Sequence, residues 1–278
     1  MMQRCTFYLT YLFLLSLSLP TQANTCGLTH PTAHPAQYQR LILLSNFATI
    51  QNIQEIPIRL QHIAQIFAHT GDRRGLFAAI YAPVTKQAIP YLSTLSPSTR
   101  HSLTKIMWFF AESYFKALHK HLTAQPIPAY WHLYYQSALT CQTSHLRVIS
   151  YGFLAHLSFD LKNALLKAGA TDGLFPDYLL LGNALARTKP AIIYNVTRLY
   201  HINTQPLLEG FWIGDTFNRS TQQPHLTTIL TFNALRTEAW MSSRAQHYTL
   251  GFFDQMIEQS HMMLWKMRVQ MLKRLIVF

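Results

Sequence analysis

Tyr151–Leu165, YGFLAHLSFDLKNAL, decides how the rest of the chain is read. It is an apolar run with helical spacing that carries His156 and Asp160 four residues apart. Four residues is about one helical turn, so the imidazole and the carboxylate stack on one face. Gly152, one turn further back on that face, lacks a side chain and leaves the pair facing open space. An ionisable couple inside hydrocarbon needs a reason, because a buried charge is expensive unless it is paired.

Working outward, the composition fits a helical interior. Of the 278 residues 49% are hydrophobic and 12% charged. That hydrophobicity excludes disorder for most of the length. The 10 glycines and the scarcity of period-two alternation favour helices over sheets. The reading is an all-α, multi-helix, bundle-like domain of about eight to ten helices. Lys and Arg number 23 against 11 Asp and Glu, a net charge of +12. Such a balance favours anionic surroundings: phospholipid headgroups, polysaccharide or nucleic acid. No specific nucleic-acid motif accompanies it.

Residues 1–23 have the pattern of a secretory signal. Arg4 supplies the positive region, Phe7–Leu19 the apolar region and Thr21-Gln22-Ala23 the small-residue cleavage site. Export to the periplasm or the extracellular space follows, and there Cys26 and Cys141 are placed to pair. Residues 24–54 form a leader and first helix, with helical spacing over Gln37–Ile50. Residues 55–278 form the all-α domain. Within it Ile58, His62, Ile63, Ile66 and Phe67 recur at helical spacing, and Gly71-Asp72 reads as a C-cap followed by an N-cap. Pro83 interrupts the next helix and is expected to kink it. Glu209–Gln223, with two glycines and many polar residues, reads as irregular. Residues 252–277 form a basic C-terminal helix that mixes Lys266, Arg268, Lys273 and Arg274 with Trp265, Met267, Met271 and Leu272. Such a helix either closes the bundle or lies on a membrane surface.

Several motifs occur in a family-like order: GDRRGLFAAIYAPVT from Gly71, FFAESYFKAL from Phe109, PAYWHLYYQSAL from Pro128, GFLAHLSFDLKNAL from Gly152 and TEAWMSSRA from Thr237. In this the chain resembles the domain-of-unknown-function family 5995 over about residues 56–245. The most specific element is Ala155-His156, three residues, then Asp160-Leu161, preceded by Gly152. Asp72, Phe110, Tyr114 and Trp131 fit looser parts of the pattern. Two departures stand out: the chain is more basic than is usual for the family, and Phe153-Leu154 replaces a Met-Asn lead into the His motif. The resemblance implies a fold and no reaction.

Three roles are open to His156 and Asp160. As half of a divalent metal site, for instance zinc, they need further ligands, for which Glu112, Asp72 and His119 are the candidates. By analogy with helical metallohydrolases that use the same spacing, the substrate would be a phosphoester or lipid-like molecule. Without metal, Asp160 would orient His156 as a general base, and Glu112 would stand beside them in the catalytic set. As a structural pair, they would fix helix packing in a noncatalytic envelope or secreted binding protein, whose basic tail meets anionic membrane. Glu112, in WFFAESYF, is expected to pair with Arg147 or Arg236 if it is no ligand. No Cys-x-x-Cys pair, glycine-rich phosphate loop or Gly-x-Ser-x-Gly elbow is present, which disfavours P-loop and acyl-serine chemistry.

Overall fold

The structure is a computed structural model and describes residues 30–223, 226–249 and 254–275. Among the described residues it contains helices and turns and no β-strand, so the all-α class holds. The signal-like segment 1–23 and Cys26 lie outside the described residues. Cys141 is disulfide-bonded.

In chain order the helices are α1 (Pro35–Ser45), α2 (Glu55–His69), α3 (Leu76–Ser93), α4 (Pro97–Leu122), α5 (Ala129–Leu139), α6 (His145–Leu154) and α7 (Leu161–Ala168). There follow α8 (Phe175–Ala186), α9 (Lys189–Tyr200), α10 (Gln205–Leu208), α11 (Phe211–Ser220), α12 (Leu226–Tyr248) and α13 (Asp254–Leu275). These outnumber the eight to ten expected, because residues 155–160 divide the central stretch into α6 and α7 and because α10 and α11 fall in sequence that does not read as helical.

Local chemistry sets the boundaries. Ser96 accepts a hydrogen bond from the Thr99 N–H and Pro97 occupies the first position, so α4 starts there. Gly71 and Gly169 take left-handed φ of 68° and 66°, ending the helices before them. Pro83 does not end α3. Its missing N–H frees the Ala79 carbonyl, and Asn195 Nδ2 on α9 donates to that oxygen at 2.7 Å, so helix packing meets the lost bond. The segment read as irregular, Glu209–Gln223, contains α11. Its glycines serve close packing instead: Gly210 has φ of 74°, and a Cβ on Gly214 would lie 1.8 Å from the Glu209 carbonyl oxygen.

The buried residues of α2 are Ile56, Pro57, Leu60, Ile63, Ala64 and Phe67. Ile58, read as part of that stripe, is 56% exposed. α2 packs on α3, α3 on α9, α4 and α12 on α7, and α5 on α6. The core has two parts. One gathers α1 to α6 around Phe77, Tyr114 and Trp131, and the other gathers α7, α8 and α12 around Tyr178 and Trp240. Phe110 and Phe153 touch both, and the segment carrying His156 lies between them.

Candidate functional site

α6 and α7 are one continuous spine joined by a π-helical turn, Ala155–Asp160, in which the Leu161 N–H donates to the His156 carbonyl five residues back. Every residue from Leu154 to Lys162 is buried. Neighbouring helices surround the spine, so its polar groups must find partners inside the protein.

His156 Nδ1 lies 2.9 Å from Asp160 Oδ2, as the spacing anticipates. Trp131 Nε1 on α5 donates to the same oxygen at 3.0 Å. The imidazole stacks on Phe110 with centroids 3.6 Å apart, and Tyr81 and Phe77 meet it edge to face with centroids 4.5 and 5.0 Å away. His156 Nε2 is buried and has no hydrogen-bond partner among the described residues. Burial pushes the His156 imidazole well below its ordinary range. It also pushes the Asp160 carboxyl well above its own, against the opposing pull of the Trp131 bond. Each group is thus driven toward its neutral form.

Gly152 does not open space beside the pair. A Cβ there would lie 2.7 Å from Phe77 Cδ2 and 3.2 Å from Tyr134 Cε2, so the missing side chain admits aromatic rings. Gly152→Ala is accordingly expected to destabilise the fold by about 1–3 kcal/mol through overpacking. A denaturant midpoint equal to or above that of the wild type would contradict the close packing.

The other candidates do not converge on the pair. Glu112 Oε1 binds Lys116 at 2.7 Å and its other oxygen binds Lys167, which corrects the expected pairing with Arg147 or Arg236. The physical reason is the helix period, which places Lys116 one turn along from Glu112 on α4. Lys167 comes from the adjoining α7. Arg236 instead stacks on Tyr178 at 3.9 Å, in space left by Gly182. Asp72 does cap, accepting from the Arg74 N–H at 3.0 Å, and its carboxylate forms a buried ion pair with the Arg74 guanidinium at 2.6 Å. His119 Nδ1 lies 3.1 Å from Ser45 Oγ and 3.2 Å from the Ile42 carbonyl, joining α4 to α1.

Among the described residues no group of three or more His, Cys, Asp or Glu side chains is placed to hold a metal ion. Zinc takes four ligands in structural sites and three plus water in catalytic ones. The pair offers one unpartnered nitrogen inside an aromatic cage, and that donor set does not fit a divalent ion. None of the cavities described is lined by His156 or Asp160.

The sequence matches the family of unknown function DUF5995 across residues 53–276. The chain belongs to that family. No curated protein and no solved structure matches it. The DUF5995 match runs from the start of α2 through α13, further than the 56–245 of the motif resemblance. The C-terminal helix is therefore part of the family's unit. Within the DUF5995 region sequence reasoning missed an open groove of about 690 Å³ between α2, α3 and α9. Its signal was in the spacing of Gln54, Pro57, Ile58, Gln61 and His62, a second helical stripe beside the core stripe of α2.

Proposed function

We propose that this DUF5995 protein is a noncatalytic envelope or secreted binding protein that sits on an anionic membrane surface through α13, with His156 and Asp160 as a structural pair. One observation carries the reading: the outward face of α13. The helix turns His261, Trp265 and Val269 inward and exposes Met256, Met263, Met267 and Met271, each 57–60% accessible. Those four methionines share one face, opposite the buried one. Beside them Lys266, Lys273 and Arg274 are exposed, and no Asp or Glu occurs in the sequence after Glu258. Arg268 is already taken by Glu238, and Glu258 by the buried Lys162.

An apolar stripe flanked by cations suits the interface of an anionic bilayer. Each basic residue near such a surface contributes about 1 kcal/mol, and flexible thioethers adapt to irregular apolar surroundings. Among the described residues no helix is long and apolar enough to cross a membrane, so lying on the surface is the mode that α13 supports. The hydrolase reading has weaker support, since the pair lines none of the cavities described and no third acid joins it among the described residues.

Sedimentation with vesicles tests the reading. Binding is expected to vesicles containing phosphatidylglycerol and not to pure phosphatidylcholine. Reversing Lys266, Lys273 and Arg274 to Glu should weaken it by about a hundredfold or more, given roughly 1 kcal/mol lost per removed cation. Equal binding to neutral vesicles, or no change on charge reversal, would remove the support.

A further inference from the structure

We propose that the groove between α2, α3 and α9 is a binding site for a small anionic amphiphile, an alkyl chain ending in a carboxylate or phosphate. The inference is independent of α13 and goes beyond membrane attachment.

Three helix faces build the groove, each at helical spacing. From α2 come Pro57 and Ile58, and from α9 comes Tyr194, with Ile58 and Tyr194 56% and 68% exposed. Two large apolar side chains left in solvent on opposite walls of one concavity are a natural seat for hydrocarbon. From α3 come Pro83 and Pro90, seven residues or two turns apart, so both rings face the same way. Prolines at these positions lay a rigid apolar floor, and Asn195 of α9 supports that floor through its bond to the Ala79 carbonyl.

The charged side chains on the rim are of one sign. Lys86 and Arg198 are exposed cations lining the groove, and no Asp or Glu lines it. Arg198 is held in place by its bond to Asn195 Oδ1 at 3.1 Å, and Asn195 Nδ2 also donates to Gln61 Oε1 at 3.0 Å. The Gln61 amide nitrogen, buried in the groove wall, has no acceptor among the described residues. Two cations and an unmet donor around an apolar floor call for a ligand with an oxyanion at one end and hydrocarbon at the other. The volume, about 690 Å³, is in the range of small-molecule sites, about 300–1,000 Å³.

Titration calorimetry of the full chain with decanoate, decyl phosphate and neutral decanol tests this. Saturable binding of one decyl anion per chain is expected, with decanol at least tenfold weaker. Preference for decanoate would assign an acyl acid, and preference for decyl phosphate a phosphomonoester. Lys86→Glu and Arg198→Glu should each weaken the preferred anion at least tenfold, and Ile58→Asp should abolish binding of both anions. The exposed positions of Lys86 and Ile58 should leave thermal unfolding unchanged, and Lys86→Gln serves if the reversed variants do not fold. Reversing the α13 cations should leave decanoate binding intact. The proposal falls if decanol binds as tightly as decanoate, if the charge variants change affinity less than twofold, or if only an acidic peptide binds.

Discussion

Asp160→Ala is expected to lower the stability of the folded chain by about 3–5 kcal/mol, the largest single-residue effect argued for this protein. Asp160 Oδ2 accepts from Trp131 Nε1 and forms the hydrogen bond with His156 Nδ1. Removing the side chain leaves two buried polar nitrogens without a partner, at about 1–3 kcal/mol each, and adds a cavity in the spine. Asp160→Asn retains an acceptor and should cost less, about 1–2 kcal/mol. In a chain of this size the alanine variant should melt roughly 6–20 °C lower. Denaturant unfolding checks the energies and calorimetry checks the shift. An alanine variant within about 1 kcal/mol of the wild type would show that the couple does not hold the fold, and would return it to the list of groups kept for another purpose.

Acid should unfold the protein over the range in which its buried histidines would charge. Burial first, and then the nearby Arg74 guanidinium, lower His121 to about 4. It stacks on Tyr135 with centroids 4.0 Å apart, and its Nε2 lies 3.3 Å from Arg74 Nη1. Asp72 opposes the shift weakly, and His132 adds to it. The unfolded state then binds the proton more readily than the folded state, so stability rises with pH. The contribution is fully present above about 6.5 and is lost as pH falls to about 4, roughly 3 kcal/mol from His121 alone. Burial lowers His145, His156 and His261 in the same direction. Asp160 has the opposite sign, because its carboxyl is held above its ordinary range and favours the fold toward lower pH. His121→Gln should therefore flatten the pH profile of the denaturant midpoint between 4 and 6.5. An unchanged profile would place the acid sensitivity elsewhere.

The helical fold was legible because its signals are local. Ser96-Pro97, Gly71-Asp72 and Gly169 fix helix ends through bonds made within a few residues, and the structure places ends at all three. The His156–Asp160 contact was legible for the same reason, being one turn long. The surroundings of that contact were not legible. Trp131 is 29 residues away, and the rings that close over the imidazole come from α3 and α4. Gly152 illustrates the ambiguity: a missing side chain makes room equally for solvent or for a neighbour's ring, and here Phe77 takes it. Pro83 is another case, since the partner for the carbonyl it frees lies on α9.

The residues alone were enough for the helical class, several helix ends, the family motifs, the positive charge and the closeness of one imidazole to one carboxylate. All of these follow from the identity and short-range spacing of residues. Distant segments supplied the rest: Lys167 joins Lys116 on Glu112, His119 meets Ser45 of α1, and a groove with cations on its rim opens between α2, α3 and α9. A helical period says which residues share a face, whereas what that face meets depends on chain segments tens of residues away.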